Sequence, residues 1–184
     1  MINLRLFIAI NFTPEVKEQL YKAIQDLSKE AVSGNFTRIS NLHLTVAFLG
    51  EVSSNRLQDI RKIINQTAFG FDVFEIEIGG LGKFINQGEF LYWCGIRENE
   101  TLDKLQQSLI QGLKANEFLV DDKPFKPHIT LGRRCRMNSN FDEKEFAKMI
   151  VPIRMKVTTI NLMKSEYRDG SLTYTNLLEV GLKQ

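Results

Sequence analysis

The sequence predicts an α+β fold of two similar lobes that face a central cleft. Three observations support this: strand-like and helix-like segments alternate along the chain, the second half repeats the order of the first, and both histidines fall at matching points of that repeat. Residues 4–10 match residues 90–96, and residues 42–49 match residues 127–134. The repeat is therefore one half-chain long rather than a solenoid period.

The first half of the chain is predicted to contain three strands and two helices. Residues 4–11 are mostly apolar and include β-branched and aromatic side chains, which is typical of a strand. Thr13 as N-cap and Pro14 at the first helical position begin a helix that ends near Ala31. The remaining predictions are, in order, a break at 33–35, a strand at 42–49, a turn at 50–54, an amphipathic helix at 54–68, an alternating strand at 71–78 and a glycine-rich loop at 79–82.

The second half repeats this order. The pattern predicts a strand at 89–96, a helix at 99–115 capped at Asn99 or Thr101, a strand at 127–134, a helix at 142–150 and a strand at 157–164. The turn signal at residues 168–171, which includes Asp169-Gly170, predicts a closing hairpin that returns through 172–182.

The composition supports one globular domain. The chain has 184 residues, is 43% hydrophobic and 25% charged, and carries a net charge of +2, values that exclude a disordered chain and a polybasic binder. We expect one fused bilobal domain over 1–184, with repeat units at about 1–85 and 86–184, a monomeric state, no obligate protein partner and no membrane association. Cys94 and Cys135 form no CxxC motif, which favours reduced thiols and a cytoplasmic location.

The two histidines of the chain occupy the same pattern, His43-Leu-Thr45 and His128-Ile-Thr130. Residues i and i+2 of a strand share a face about 6.6 Å apart, so each imidazole shares its face with a threonine hydroxyl. Strict alternation also places Ala47 on that polar face, and it predicts a core position for Leu42, Leu44, Val46 and Phe48.

Two imidazoles and two hydroxyls that converge on one cleft suit phosphodiester chemistry without a metal. One neutral imidazole accepts a proton from the attacking oxygen, one imidazolium donates a proton to the leaving oxygen, and the hydroxyls bond the non-bridging oxygens. A lone strand histidine is more often structural. Two copies that use every histidine in the chain favour catalysis, although the residues alone do not distinguish the donor from the acceptor.

Residues 41–50 and 124–133 contain complete HxTxxF and HxTxxR motifs, which end at Phe48 and Arg133. With residues 5–10, residues 80–84 and the closing hairpin, they make the chain resemble the 2H phosphoesterase superfamily nearly end to end. Within it, the chain resembles the bacterial and archaeal RNA 2′,3′-cyclic phosphodiesterases, historically called 2′-5′ RNA ligases. The resemblance implies two pseudo-twofold-related lobes of antiparallel sheet, with flanking helices around a central cleft.

The resemblance also implies a reaction and a role for each motif residue. The substrate is an RNA with a terminal 2′,3′-cyclic phosphate, the product is a 2′-phosphomonoester, and no metal or other cofactor takes part. His43 is expected to donate the proton to the departing 3′-oxygen, and His128 to accept the proton of the attacking water. Thr45 and Thr130 are expected to hold the phosphate, and Arg133 to pair with its charge.

Several alternatives remain open. The same cleft suits a non-catalytic RNA- or nucleotide-binding module, or a related enzyme that acts on 2′-5′ oligonucleotides or small cyclic nucleotides. The reverse reaction amounts to 2′-5′ ligation, whereas the missing K-x-D-G motif argues against an ATP-dependent ligase. A zinc site is disfavoured because no close ligand pair of the finger or ribbon type is present among His43, His128, Cys94 and Cys135.

Three features around the second motif each allow two interpretations. Strict alternation places Arg133 on the face opposite His128, unless Gly132 hosts a bulge that turns the strand back. Tyr92 and Trp93 either stack a base or pack in the core. A basic cluster either follows an RNA backbone or forms a solvated face; it comprises Lys126, Arg134 and Arg136.

Overall fold

The structure, a computed structural model, describes residues 2–86, 89–121 and 123–184. Within these ranges the chain forms nine strands and four α-helices. In chain order they are β1 (Asn3–Asn11), α1 (Pro14–Lys29), β2 (Ala31–Phe36), β3 (His43–Ser53), α2 (Leu57–Phe69), β4 (Phe74–Asn86), β5 (Glu89–Ile96), α3 (Glu100–Ala115), β6 (His128–Met137), α4 (Glu143–Met149), β7 (Ile153–Val157), β8 (Thr159–Arg168) and β9 (Ser171–Gly181).

The strands form two antiparallel sheets, which confirms the predicted α+β class. The first sheet has the order β3-β1-β8-β9, and the second has the order β2-β6-β5-β4-β7. Each sheet takes strands from both halves of the chain, and β4 and β5 pair across the predicted boundary at 85/86. The organisation into one bilobal domain with repeat units at 1–85 and 86–184 stays a prediction.

Helix α1 begins where its sequence predicts. Thr13 accepts a hydrogen bond from the Val16 N–H at 3.4 Å, and Pro14 occupies the first turn, where its missing N–H costs nothing. The helix follows β1 of the first sheet but packs against β2, β6 and β7 of the second. Helix α3, capped by Asn99, follows β5 of the second sheet but contacts β3 of the first. This exchange joins the two sheets through one continuous apolar core.

The strand predictions were wrong where a glycine was taken to end an element. Residues 79–82 lie inside β4, where Gly80 adopts a φ of +70° at a register shift. Residues 33–35 belong to β2, because the neighbouring β6 supplies their hydrogen-bond partners. Strand β3 continues through the predicted turn at 50–54 as far as Ser53, and β7 was not predicted.

No α-helix in the described parts of the chain has the length and apolar composition needed to cross a bilayer.

Candidate active site

The first histidine strand carries a bulge directly after its motif threonine. Ala9 of β1 pairs with Thr45, whereas the preceding Ile8 pairs with Ala47, so Val46 is an extra residue in β3. The bulge turns both Val46 and Ala47 toward the core, where Ala47 is only 4% exposed. The prediction that Ala47 lies on the polar face with His43 is therefore wrong.

The residue after the bulge returns to the face that carries His43. Phe48 pairs with Phe7 of β1, and its side chain is 46% exposed rather than buried as predicted. The guanidinium of Arg5 lies 5.2 Å from the centre of the Phe48 ring. The strand thus exposes an aromatic ring that simple alternation places in the core.

The second histidine strand has the same bulge at the matching position. Trp93 of β5 pairs with Thr130, whereas Tyr92 pairs with Gly132, so Leu131 is the extra residue. Leu131 and Gly132 are both buried, and Arg133 returns to the face that carries His128. This segment therefore contains a bulge and does not alternate strictly.

His43 is held by its Nδ1 atom. Nδ1 donates a hydrogen bond of 2.7 Å to the carbonyl oxygen of Asn41, and Nδ2 of Asn41 donates in turn to the Leu172 carbonyl at 2.9 Å. A carbonyl oxygen only accepts, so Nδ1 carries a hydrogen in either charge state. Nε2, which lies 2.9 Å from the Thr45 hydroxyl, is the atom that gains or loses a proton.

The pKa of His43 is strongly perturbed by its surroundings. Its ring packs against Phe7 at a centroid distance of 4.8 Å and against the edge of Tyr174 at 5.0 Å. Burial lowers the pKa of His43 to about 4; the Asn41 carbonyl opposes this shift, and the positive charge of Arg133 adds to it. The free protein therefore holds His43 neutral at pH 7.

His128 is held in the same manner on the second sheet. Its Nδ1 donates a hydrogen bond of 2.8 Å to the carbonyl of Lys126, which again leaves Nε2 as the proton-exchanging atom. Phe84 meets the ring edge-to-face at 5.0 Å. Burial lowers the pKa of His128, the Lys126 carbonyl opposes this, and the charges of Arg133 and Lys126 lower it further.

Arg133 and Tyr174 lie within electrostatic range of the histidines. The two motif strands, β3 and β6, contact each other. The positive charge of Arg133 on β6 accordingly lowers the pKa of both imidazoles. Burial raises the pKa of Tyr174, and Arg133 opposes that rise. Sequence reasoning missed Tyr174, because only the register of the closing hairpin, in which Tyr174 pairs with Ser165, places it beside His43.

The predicted basic cluster is divided by the fold. The ammonium of Lys126 lies 4.8 Å from the Trp93 ring centre, on the His128 side of the site. Arg134 is exposed, adopts a φ of +53° and pairs with Glu89 at 3.5 Å, and Arg136 is also exposed. Lys126 is thus the member of the cluster that the structure places beside a histidine.

Neither cysteine takes part in this arrangement. Cys94 and Cys135 are buried free thiols, and burial raises the pKa of each. Across residues 2–86, 89–121 and 123–184, no group of three or more His, Cys, Asp and Glu side chains is placed to hold a metal ion.

Each of the two antiparallel sheets contributes one bulged His-x-Thr strand, and these two strands contact each other. This arrangement defines the 2H phosphoesterase class of fold and site. The chain belongs to the 2′-5′ RNA ligase superfamily, which matches its residues 16–169. The family expected from the two motifs is therefore confirmed.

Curated relatives and solved structures agree with this assignment. An Archaeoglobus fulgidus protein named RNA 2′,3′-cyclic phosphodiesterase is 31% identical over 176 residues, covering 90% of this chain and 97% of the relative. A Thermotoga maritima protein of the same name is 34% identical over 131 residues, covering 71% and 70%. The structure of Escherichia coli LigT complexed with 3′-AMP matches all of both chains with a TM-score of 0.82 and 26% identity. A Thermus thermophilus structure matches 98% of each chain with a TM-score of 0.80 and 27% identity.

Proposed function

We propose that this protein hydrolyses the 2′,3′-cyclic phosphate at the end of an RNA to a 2′-phosphomonoester, with two histidines as general acid and base. One observation carries the proposal: His43 and His128 are each held through Nδ1, which leaves two Nε2 atoms for proton transfer at one site. The relatives named RNA 2′,3′-cyclic phosphodiesterase support the choice of substrate.

In this reaction His128 is the base and His43 the acid. Nε2 of His128 accepts a proton from a water molecule, whose oxygen forms a bond to phosphorus. The bond from phosphorus to the 3′-oxygen breaks, and Nε2 of His43 donates its proton to that oxygen. The 2′-oxygen keeps the phosphate, so the product is a 2′-monoester. The assignment of donor and acceptor follows the family.

The negative charge of a bound phosphate favours the protonated imidazole that the reaction needs. Both imidazoles have lowered pKa values in the free protein, whereas the acid must be protonated when it reacts. An anion beside the rings favours their charged form, so substrate binding raises both pKa values. The Thr45 and Thr130 hydroxyls donate hydrogen bonds to the non-bridging oxygens, and Arg133 pairs with their charge.

The proposal also covers cofactors, oligomeric state and cellular location. Every step above uses a side chain or water, so the proposed reaction needs no metal ion or other cofactor. We assign the protein a monomeric state and no obligate protein partner. Cys94 and Cys135 are buried and form no disulfide, which supports a cytoplasmic location.

The test is hydrolysis of a short RNA that ends in a 2′,3′-cyclic phosphate, with EDTA present. We expect a 2′-phosphate product, with kcat/KM reduced by about 10²- to 10⁴-fold in each of His43→Ala and His128→Ala. Circular dichroism and thermal unfolding check that the variants fold. Wild-type rates in either variant contradict the mechanism. Tight binding without turnover by the wild type instead indicates a phosphate-binding module.

A further inference from the structure

Beside His128, the second sheet carries an aromatic surface that the two-histidine reaction does not use. We name it the Trp93 shelf; it consists of Trp93 on β5, Phe84 on β4 and Lys126 just before β6. Trp93 is the cross-strand partner of Thr130, so the two side chains share a face of the sheet. The Trp93 and His128 ring centres are 6.1 Å apart. The shelf therefore begins directly beside one catalytic imidazole.

The indole of Trp93 lies flat on the backbone of β4. A Cβ atom built on Gly82, its cross-strand partner, falls 2.2 Å from Cη2, 2.3 Å from Cζ2 and 2.6 Å from Cζ3 of the indole. Such similar distances to three ring atoms place Gly82 beneath the face of the ring. Any side chain at residue 82 displaces the indole, so the glycine allows a large flat surface at this position.

The placement of the ring is not the one that stability alone favours. Nε1 of Trp93 is buried and has no hydrogen-bond partner among the described residues, which costs stability relative to a ring without an N–H. By the repeat, Phe7 is the counterpart of Trp93 in β1, and it is buried beside Tyr174. Trp93 is instead partly exposed. The two halves differ here although their histidine motifs agree.

Lys126 supplies a positive charge to the same surface. Its ammonium lies 4.8 Å from the centre of Trp93 and 5.3 Å from the centre of Phe84. Within the described ranges it forms no ion pair with a carboxylate. An unpaired ammonium over two aromatic rings suits a ligand that has both a flat ring and an anionic group, which a nucleotide combines.

We propose that the Trp93 shelf binds the last nucleoside of the RNA, with its base stacked on Trp93 and the preceding phosphate paired with Lys126. This assignment rests on the proposed function and adds the part of the substrate that is recognised. The base and the cyclic phosphate belong to the same ribose, so the base site must lie beside the histidines, as Trp93 does. The base takes the ring face over which the ammonium now lies, and the ammonium moves to the phosphate between the last two nucleotides.

The first experiment compares a dinucleotide cyclic phosphate that ends in adenosine with one that ends in an abasic ribose. We expect Trp93→Leu to raise KM for the adenosine substrate by about 5- to 150-fold, with only a small change in kcat. KM for the abasic substrate is expected to change little. Trp93→Phe keeps an aromatic ring and restores most of the affinity. Phe69→Leu is the matched control, because Phe69 is an exposed ring that Lys183 covers at 4.7 Å on another surface.

The second experiment uses the fact that Trp93 is the single tryptophan of the chain. We expect its fluorescence to be quenched saturably by a dinucleotide ending in adenosine 2′-phosphate. Removing the terminal base abolishes the quenching, whereas removing the preceding base does not. The reverse pattern overturns the assignment of the terminal base, and no quenching by either overturns the shelf as a base site.

The role of Lys126 is tested with shortened substrate. Lys126→Ala keeps the backbone carbonyl that orients His128, and we expect it to raise KM for the dinucleotide by up to about fivefold. A cyclic mononucleotide, which lacks the preceding phosphate, shows a smaller change, because only the effect of the Lys126 charge on the pKa of His128 is then lost. Lys183→Ala changes KM for neither substrate. An equal effect on both substrates contradicts the pairing.

Failure of the shelf and failure of the proposed function give different results. A wild-type protein that hydrolyses neither substrate contradicts the function, and the fluorescence titration then still decides whether Trp93 stacks a base. If the wild type hydrolyses both substrates and Trp93→Leu changes KM equally for each, base binding by the Trp93 shelf is contradicted and the proposed function is not.

Discussion

Nε2 of His43 lies 2.9 Å from the hydroxyl of Thr45, in hydrogen-bonding contact. Within the described structure, Thr130 makes no matching bond to His128. The two motifs therefore share a sequence and a strand geometry but not a hydrogen-bond pattern. In the free protein a neutral His43 accepts the Thr45 hydrogen and a protonated His43 donates to the Thr45 oxygen, so either charge state can form this contact until substrate replaces it.

We expect kcat/KM to show a bell-shaped pH profile with its maximum below pH 6.5. This quantity reports the ionisations of the free enzyme, where the pKa of His43 is about 4 and that of His128 is also below 6.5. One imidazole must be protonated and the other neutral, so the rate falls on either side of two apparent pKa values. The profile of kcat lies at higher pH, because bound phosphate raises both values. A kcat/KM profile that stays flat to pH 9 is inconsistent with two catalytic imidazoles.

Acid is expected to destabilise the fold through His43. Its pKa of about 4 in the folded state lies below the ordinary value of 6.5, so the unfolded chain binds more protons between these limits. This difference lowers the free energy of unfolding as the pH falls from about 6.5 to 4, by roughly 3 kcal/mol when complete. Urea unfolding of the wild type and His43→Ala across this range measures it. If the wild type and the variant lose stability in parallel, His43 is not responsible.

Removing the charge of Arg133 is expected to raise the pKa of both histidines. Its positive charge now disfavours both imidazolium ions. The chain has only two histidines, so proton NMR titration of wild type and Arg133→Ala follows both directly. Lys at this position keeps the charge and the low pKa values, whereas Arg136→Ala, on the same strand, serves as the control. Unshifted pKa values in Arg133→Ala rule out this electrostatic contact.

The same variants test substrate binding by Arg133. A hydrogen bond between a guanidinium and a phosphate contributes about 1.5–3 kcal/mol, so Arg133→Ala is expected to lower kcat/KM by about 10- to 150-fold. Arg133→Lys recovers only part of this loss, because an ammonium does not form the bidentate contact. Full activity of the Lys variant indicates that charge alone is needed.

A side chain at Gly132, in the bulge of the second motif, is expected to destabilise the fold. A Cβ atom there meets Sγ of Cys135 at 2.8 Å and Cδ1 of Phe36 at 3.0 Å. Gly132→Ala therefore costs about 1–3 kcal/mol of unfolding free energy through overpacking. Cys135→Ala in the same chain removes the nearest atom and recovers part of that loss. Ala47 occupies the corresponding place in the first half, where its methyl group is buried. An unchanged stability of Gly132→Ala contradicts the close contact.

Local signals in the sequence were sufficient for most helices and for the two histidine strands. Thr13 and Asn99 cap their helices as predicted, and the Asp169-Gly170 turn lies where the hairpin requires it. Strand β2 and residues 79–82 were not recognised. Strand β2 pairs with β6, which is distant in the chain. Residues 79–82 pair with the next strand, β5, but through a register shift at the glycines, which a local pattern of apolar residues does not report.

The site shows the same division. By itself the sequence identified the functional groups of the candidate site, since the duplicated His-x-Thr pattern names two imidazoles and two hydroxyls, and a strand period of two places each pair on one face. Only the tertiary structure decided which other side chains join them. The bulges after Thr45 and Thr130 return Phe48 and Arg133 to the histidine face, and strand register places Tyr174 there as well. Bulges and register depend on hydrogen bonds between strands rather than within one, and that information is not local in the sequence.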